Sequence, residues 1–301
     1  TLINLSLAEN GDISQKDLKL IFEQKRQIIM KSNTLDMINV KEKKEDIGGL
    51  DNLKKWLDRK AVISKDIDRA MKFGVDMPKG VLIAGIPGCG KSLTAKVTSA
   101  MFEVPLLKLD MGRIMGKYLG ESETNMRKAI ELAETISPCV LWVDELEKGF
   151  AGTDGSGHEV TMRLFAAFLT WLQEKTSPVF VVATANDISK MPPELLRKGR
   201  FDDIFYVDLP NKSERRSIFD IHIRKRRPAD LAKIDFDRIT DKTEGFSGAD
   251  IESVVVEAVE DAFANGQDGL TTENIVKCIE PTKSLSDIMK DKIESLQNFY
   301  K

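Results

Sequence analysis

The sequence predicts an α/β fold: a parallel five-stranded sheet with helices on both faces, followed by a small all-helical domain. Between about residues 78 and 211, short apolar runs alternate with helical patterns, and continuous apolar runs are typical of parallel strands buried on both faces. From Ser213 onward only helical patterns continue. The strand candidates are Val81–Ala84, Leu106–Asp110, Val140–Val143, Val179–Ala183 and Ile204–Val207.

The composition is that of an ordinary soluble protein of 301 residues, with 42% hydrophobic and 31% charged residues. The net charge of −3 gives no reason to expect nucleic acid as a partner. No apolar stretch is long enough to span a bilayer, so no membrane role is expected. The three cysteines lack metal-ligand spacing and indicate reduced thiols in a cytoplasmic compartment.

Four segments follow from these patterns. Residues 1–40 carry an apolar stripe at helical spacing and are interpreted as a helical linker or docking segment. Residues 41–211 form the α/β core, and residues 212–281 form the helical domain, with Ser213 expected to cap its first helix. Residues 282–301 are expected to add a terminal helix or tail.

The first chemical motif is the run from Gly85 to Ser92, which matches the phosphate-binding loop G-x-x-x-x-G-K-[ST]. It stands between a predicted strand and a predicted helix, the context in which backbone N–H groups surround a phosphate. Lys91 is expected to contact the terminal phosphates, and the Ser92 hydroxyl is expected to bind Mg²⁺. The fold class is therefore predicted to be that of the P-loop nucleoside triphosphatases.

A second motif ends the strand at 140–143, where Asp144 and Glu145 follow about 50 residues after the loop. In this position Asp144 would hold Mg²⁺, and Glu145 would act as general base on the attacking water. A solvated Asp-Glu turn is the alternative interpretation.

Two further polar positions follow the later strands. Asn186 could bind the γ-phosphate or the water, although asparagine also forms turns. Arg197 and Arg200 stand three residues apart beside a glycine, a spacing that suits anion recognition by planar donors, and surface charge is the alternative.

Seven short motifs in family order make the sequence resemble the AAA ATPases of the AAA+ superfamily. They span about residues 46–265. The sequence at 142–152 is similar to that of the plastid and cyanobacterial hypothetical-open-reading-frame branch of that family. The motifs are DIGGL at 46–50, GIPGCGKS at 85–92, KYLGESE at 117–123, the pair Asp144-Glu145, ATAN at 183–186, LLRKGRFD at 195–202 and FSGADIE at 246–252.

The resemblance implies a role for each matching residue. Asn186 would be the first sensor, while Arg197 and Arg200 would be arginine fingers that enter the site of a neighbouring subunit in a hexameric ring. Tyr118, with Leu119 beside it, would form a substrate-gripping pore loop. The implied ATP-binding residues are Ile47, Gly48, Pro87, Gly88, Cys89, Gly90, Lys91, Ser92, Leu93, Gly248 and Ala249.

The chain departs from the family pattern at a few positions. Cys89 replaces a common threonine, so either the thiol makes binding redox-sensitive or a small side chain is simply tolerated. Glu147 stands where aspartate is common, and Ala185 replaces the threonine before Asn186. No arginine near Gly248 could act as a second sensor, and His222 is interpreted as structural.

Together these features predict a Mg²⁺-dependent ATPase that remodels a protein substrate, through the pore of a hexameric ring. An ATP-gated regulatory or scaffold protein without threading activity is the alternative. A nucleic-acid motor is disfavoured because no basic stripe is present. The resemblance implies a cytoplasmic location, or the plastid stroma for the plastid branch.

Overall fold

The computed structural model describes residues 34–114, 121–150, 156–197 and 199–300, together with Lys25, Gln27 and Ile29. Its central feature is a six-stranded sheet with the spatial order β1-β3-β4-β5-β2-β6. Strands β2 to β6 run parallel to one another, which confirms the five predicted strands. The strands are β1 (Leu35–Ile38), β2 (Gly80–Gly85), β3 (Leu106–Leu109), β4 (Cys139–Val143), β5 (Val179–Ala185) and β6 (Asp203–Val207).

Strand β1 corrects the helical prediction for residues 1–40 at its own four residues, Leu35–Ile38, whereas Lys25, Gln27 and Ile29 are helical. It pairs antiparallel with the outer edge of β3, with Leu35 opposite Leu109 and Ile38 opposite Leu106. A four-residue segment is too short for hydrophobic periodicity to separate strand from helix. These residues form a strand because they pair with β3, which is distant in sequence, and the pairing satisfies backbone N–H and C=O groups on both strands. The rest of the predicted segment lies almost wholly outside the described residues.

Helices cover both faces of the sheet, as predicted. On one face, Leu82 and Leu141 share an apolar cluster with helices α5 and α6, while on the other Val81 and Val140 pack with α1 and α3. Neighbouring strand residues thus point to opposite clusters, as strand geometry requires. The helices of this part are α1 (Asp51–Lys65), α2 (Ile67–Phe73), α3 (Lys91–Phe102), α4 (Met111–Ile114), α5 (Glu121–Ile136) and α6 (Ser156–Glu174).

The helices after the sheet have an apolar cluster of their own, centred on Phe219, Ile251 and Val255. Helix α7 begins two residues earlier than predicted, because Asn211 and not Ser213 is its N-cap and accepts the Glu214 N–H. The predicted cap at Ser247 is present and starts α9. The helices are α7 (Lys212–Arg226), α8 (Phe236–Asp241), α9 (Gly248–Ala264), α10 (Thr272–Ile279), α11 (Leu285–Ile288) and α12 (Lys290–Tyr300).

Helix α12 brings the end of the chain back to the sheet. Its Ile293 and Leu296 are buried, and the Gln297 side-chain amide donates to Asp208 Oδ1 at 2.9 Å, just beyond β6. Within the described ranges, no helix is both long and apolar enough to cross a membrane.

A buried carboxylate joins two loops of the helical part. Asp230 is 2% exposed and accepts hydrogen bonds from Lys233 Nζ at 2.8 Å, the Leu270 N–H at 3.0 Å and Arg227 Nε at 2.7 Å. Lys233, the Leu270 N–H and Arg227 all stabilise the charged form and hold the Asp230 pKa well below its usual range.

Asp230→Asn should therefore lower the melting temperature at pH 7. A lowered folded-state pKa gives stability that is complete above the ordinary value of about 3.9 and is lost as pH falls through the folded value. The difference between wild type and variant should shrink in acid, as measured by thermal unfolding between pH 7 and pH 2. Asp237→Asn, at a mostly exposed carboxylate, is the control. An Asp230→Asn deficit that is equally large at both ends of the pH range would contradict the assignment.

Candidate nucleotide-binding site

A cavity of about 510 Å³ opens where the carboxyl ends of the parallel strands meet helices α7 and α9. This is the edge at which open α/β sheets bind ligands. The cavity brings together most of the residues singled out from the sequence. Those that line it are Ile47, Gly48, Pro87, Gly88, Cys89, Gly90, Lys91, Ser92, Leu93, Asp144, Glu145, Asn186, Gly248 and Ala249.

The glycine loop between β2 and α3 has the shape of a phosphate cradle. Gly88 has a φ of +75°, and a Cβ there would lie 2.9 Å from Ser247 Oγ and 3.1 Å from the Ala249 methyl group. Gly90, with a φ of +86°, caps α3 without a side-chain hydrogen bond to the first helical N–H groups. Those N–H groups, at the positive end of the helix, suit a phosphate. The loop therefore fits a nucleotide.

Lys91 lies inside the loop with little access to solvent. Its Nζ donates to the carbonyl oxygens of Gly85 and Ile86, at 2.7 Å each. Burial lowers the pKa of Lys91 to about 8, because two neutral carbonyls replace water only in part. A phosphate beside this ammonium would favour its charged form. Lys91 is therefore held where anion binding relieves its desolvation.

Burial also raises the pKa of the Cys89 thiol. Its pKa is raised to about 12, and Sγ contacts the Pro87 carbonyl oxygen at 3.6 Å. A thiol that stays protonated at neutral pH is a poor nucleophile and oxidises slowly. The raised pKa favours the interpretation of Cys89 as a tolerated small side chain over the redox interpretation.

The two predicted metal ligands are close together. Ser92 Oγ lies 3.3 Å from Asp144 Oδ1, and a hydroxyl with a carboxylate is a donor set that fits Mg²⁺. The other carboxylate oxygen, Asp144 Oδ2, accepts from Lys108 Nζ at 3.1 Å. This ammonium also lies 4.4 Å from the centre of the Trp142 ring. Lys108 was not singled out from the sequence, where it is one polar residue in an apolar strand.

Glu145 and Asn186 contact each other at the end of β4 and β5. Asn186 Nδ2 donates to Glu145 Oε1 at 3.3 Å, and its backbone N–H donates to Glu147 Oε1 at 3.0 Å. Glu147 is buried, and its Oε2 has no hydrogen-bond partner among the described residues. The other Glu145 oxygen, Oε2, pairs with Lys148 Nζ at 2.5 Å. The proposed base and the proposed sensor are therefore within one hydrogen bond of each other.

Several cavity residues were not identified from the sequence. Thr184 lies on β5, two residues before Asn186, which directly follows that strand, and the period-two alternation of a strand could have indicated it. His222, interpreted as structural, in fact lines the cavity 3.5 Å from Glu252, and burial lowers its pKa. The full set is Asp46, Leu50, Thr184, Val207, Asp208, Pro210, Glu214, Ile218, Ile221, His222 and Glu252.

Arg197 and Arg200 do not line the cavity of their own chain. Arg197 is exposed, and Arg200 Nη1 donates to the Glu194 carbonyl oxygen. Tyr118 and Leu119 lie outside the described residues. The structure thus places the arginines on the surface and leaves their role, like that of the pore loop, a prediction.

The glycine loop between β2 and α3, the acids that end β4 and the parallel sheet define a P-loop nucleoside triphosphatase. The family model described as ATPase family associated with various cellular activities (AAA) matches residues 81–209, and the model for the AAA+ lid domain matches residues 233–277. The chain belongs to the AAA family of ATPases. This is a family of ATP hydrolases.

Among known proteins, the chain is 44% identical to the AAA domain-containing protein ycf46 of Pyropia yezoensis, over 98% of this chain and 60% of that protein. It is 33% identical to the proteasome-activating nucleotidase of Aeropyrum pernix, over 81% and 60% of the two chains. A cell division cycle protein 48 homolog of Archaeoglobus fulgidus is 32% identical, over 85% and 35%. The resemblance to the plastid branch is confirmed, and the chain spans about three fifths of the length of its ycf46 relatives.

Proposed function

We propose that this chain is a Mg²⁺-dependent ATPase that uses hydrolysis to remodel a protein substrate through the pore of a hexameric ring. The observation that carries the proposal is the single cavity in which the phosphate loop, Asp144 and Glu145 meet. Two relatives are named a proteasome-activating nucleotidase and a cell division cycle protein 48 homolog. The first name supports the proposal that this chain also acts on other proteins. The likeness to plastid-encoded ycf46 proteins supports the plastid stroma as the location.

In this mechanism each residue has a separate task. Lys91 and the N–H groups of the loop would hold the phosphates, and Ser92 and Asp144 would hold Mg²⁺, which would supply positive charge to neutralise them. Glu145 takes the proton of the attacking water, after its ion pair with the exposed Lys148 has opened. Asn186 orients Glu145 and the water from the neighbouring strand.

Three contacts would transmit the state of the cavity to the helical domain. The Gly88 carbonyl oxygen in the phosphate loop accepts the Ala249 N–H at 3.0 Å. Asp46 pairs with Lys225 at 2.8 Å, and Glu214 Oε1 accepts the Leu50 N–H at 3.3 Å. Because these residues or their neighbours line the cavity, a nucleotide that moves the phosphate loop would move α9, and one that moves residues 46–50 would move α7.

The same three contacts favour a second candidate, an ATP-gated regulatory or scaffold protein. Movement of the helical domain could expose or cover a binding surface without any chain passing through a pore. Stimulation of ATP turnover by an unfolded protein substrate supports the remodelling function. Nucleotide-dependent binding of a partner without such stimulation favours the regulatory one.

Tyr118→Ala tests the pore directly. The variant should keep basal ATPase activity and ring assembly but lose substrate-stimulated turnover and remodelling, because an aromatic ring gives a sequence-tolerant grip on an extended chain. Tyr118→Phe keeps the ring and is the matched control. The measurements are ATPase rates with and without substrate and the ring mass. Full remodelling by Tyr118→Ala would refute threading, and an equal loss of stability and basal turnover would indicate a packing role.

A further inference from the structure

A single hydroxyl group lies between the two acids at the end of β4. Thr184 is on β5, next to β4 in the sheet, and its side chain is 1% exposed. Its Oγ1 donates to Asp144 Oδ1 at 2.7 Å and accepts the backbone N–H of Glu145 at 3.1 Å. One atom therefore contacts the proposed metal ligand and the proposed base at once.

These two contacts fix the direction of the hydroxyl hydrogen. A threonine hydroxyl has one proton to donate, and a carboxylate at neutral pH only accepts. The proton must therefore point at Asp144, which leaves a lone pair for the Glu145 N–H. Such a bond to a carboxylate is stronger than one between neutral groups. Both hydrogen-bonding capacities of the hydroxyl are used within the site.

The backbone of Glu145 explains why the N–H contact matters. Glu145 has a φ of +49°, in the left-handed region that non-glycine residues rarely adopt. Such conformations persist where the surroundings hold them, and they are common at active sites. The Thr184 hydroxyl holds the N–H side of this turn, while the Glu145 carbonyl oxygen accepts the Lys148 N–H at 2.8 Å. The turn directs the Glu145 carboxylate towards Asn186.

The contact with Asp144 also fixes the orientation of this predicted metal ligand. Thr184 and Ser92 both reach Oδ1, and Lys108 reaches Oδ2, so the carboxylate is held from three sides. Groups that orient a metal ligand typically contribute 10–100-fold to metal affinity or activity.

We propose that Thr184 is a positioning residue, which orients Asp144 for Mg²⁺ and Glu145 for the attacking water through one hydroxyl group. The proposal rests on the ATPase activity proposed above and adds a residue to that site. It also gives a reason for the position of the threonine in Ala183-Thr184-Ala185-Asn186. Here the hydroxyl lies on β5, two residues before Asn186, which directly follows the end of that strand.

The test replaces only the hydroxyl. Thr184→Val keeps the shape of the side chain, Thr184→Ser keeps the hydroxyl, and Thr243→Val makes the same change at a threonine that is fully buried away from the cavity. Mn²⁺ binding, read by electron paramagnetic resonance with a non-hydrolysable ATP analogue, reports on Asp144 without turnover. Steady-state kinetics separate kcat from KM, and thermal unfolding reports on packing.

Thr184→Val should weaken Mn²⁺ binding and lower kcat by about 10–100-fold each. Metal-free nucleotide binding should stay near wild type, whereas KM for the metal–ATP complex should rise with the lost metal affinity. Thr184→Ser should recover most of both, and Thr243→Val should change neither. The proposal is overturned if Thr184→Val binds Mn²⁺ and turns over like wild type. It is also overturned if Thr184→Ser and Thr184→Val lose Mn²⁺ binding and turnover equally and both have a lowered melting temperature. If the wild-type chain had no ATPase activity, the proposed function would be wrong. Comparing Mn²⁺ binding by wild type and Thr184→Val would still test whether Thr184 orients Asp144.

Discussion

Glu145→Gln should bind ATP and Mg²⁺ nearly as well as wild type and hydrolyse ATP roughly 10²–10⁴-fold more slowly. The amide keeps the size of the side chain and its contact with Asn186 Nδ2 through one oxygen. It cannot take a proton from water at neutral pH, so only the chemical step suffers. Asp144 and Ser92 are unchanged, and metal and nucleotide binding are expected to survive.

The measurements are single-turnover hydrolysis and equilibrium binding of a fluorescent ATP analogue. Asp144→Asn is the matched comparison, since it makes the same chemical change at the preceding residue. It should lose Mg²⁺-dependent binding as well as turnover, because it removes charge from a metal ligand. If Glu145→Gln turned over at the wild-type rate, Glu145 would not be the base.

Arg197→Ala and Arg200→Ala should also abolish most turnover, and they should do so across a subunit boundary. Neither arginine lines the cavity of its own chain, so a contribution to catalysis requires the site of another copy. An arginine supplied in this way is worth roughly 10³–10⁵-fold in kcat in other phosphoryl-transfer enzymes. Arg224→Ala removes an exposed arginine that is paired with Asp220 on its own helix, and it should leave turnover unchanged.

Mixing experiments give the trans assignment a sharper test. A site in an Arg200→Ala subunit keeps its own Glu145, and a neighbouring Glu145→Gln subunit can supply the missing arginine. Rings that contain both variants should therefore recover part of the activity that neither has alone. Rings shown by mass to be mixed, but inactive at every ratio, would contradict a role in trans.

The fold predictions that the structure confirms came from local patterns, because the five parallel strands are apolar runs that can be recognised without a partner. The roles of Lys91 and Ser92 also came from a local motif, and they stay predictions. The cavity brings Gly88 and Gly248 together from distant segments, as the family resemblance implied.

Features that depend on contacts between distant residues could not be predicted from the sequence. Strand β1 is a strand because β3 offers an open edge, and no pattern within four residues reveals that partner. His222 stood alone in the sequence, and only the fold of α7 over the sheet brings it to the cavity. Arg197 and Arg200 would act on another copy of the chain, so neither their sequence nor the fold of one chain can test them.

Strand β1 also limits how copies of the chain can meet. The side of β3 that would otherwise present free N–H and C=O groups is covered by four residues that run in the opposite direction. The covering strand is short, and its Asp36 is tied to Arg113 at 2.9 Å, two properties that discourage a further strand from adding on. Another copy of the chain that approached from this direction would meet a short edge strand with a paired charge, and not the backbone groups of β3.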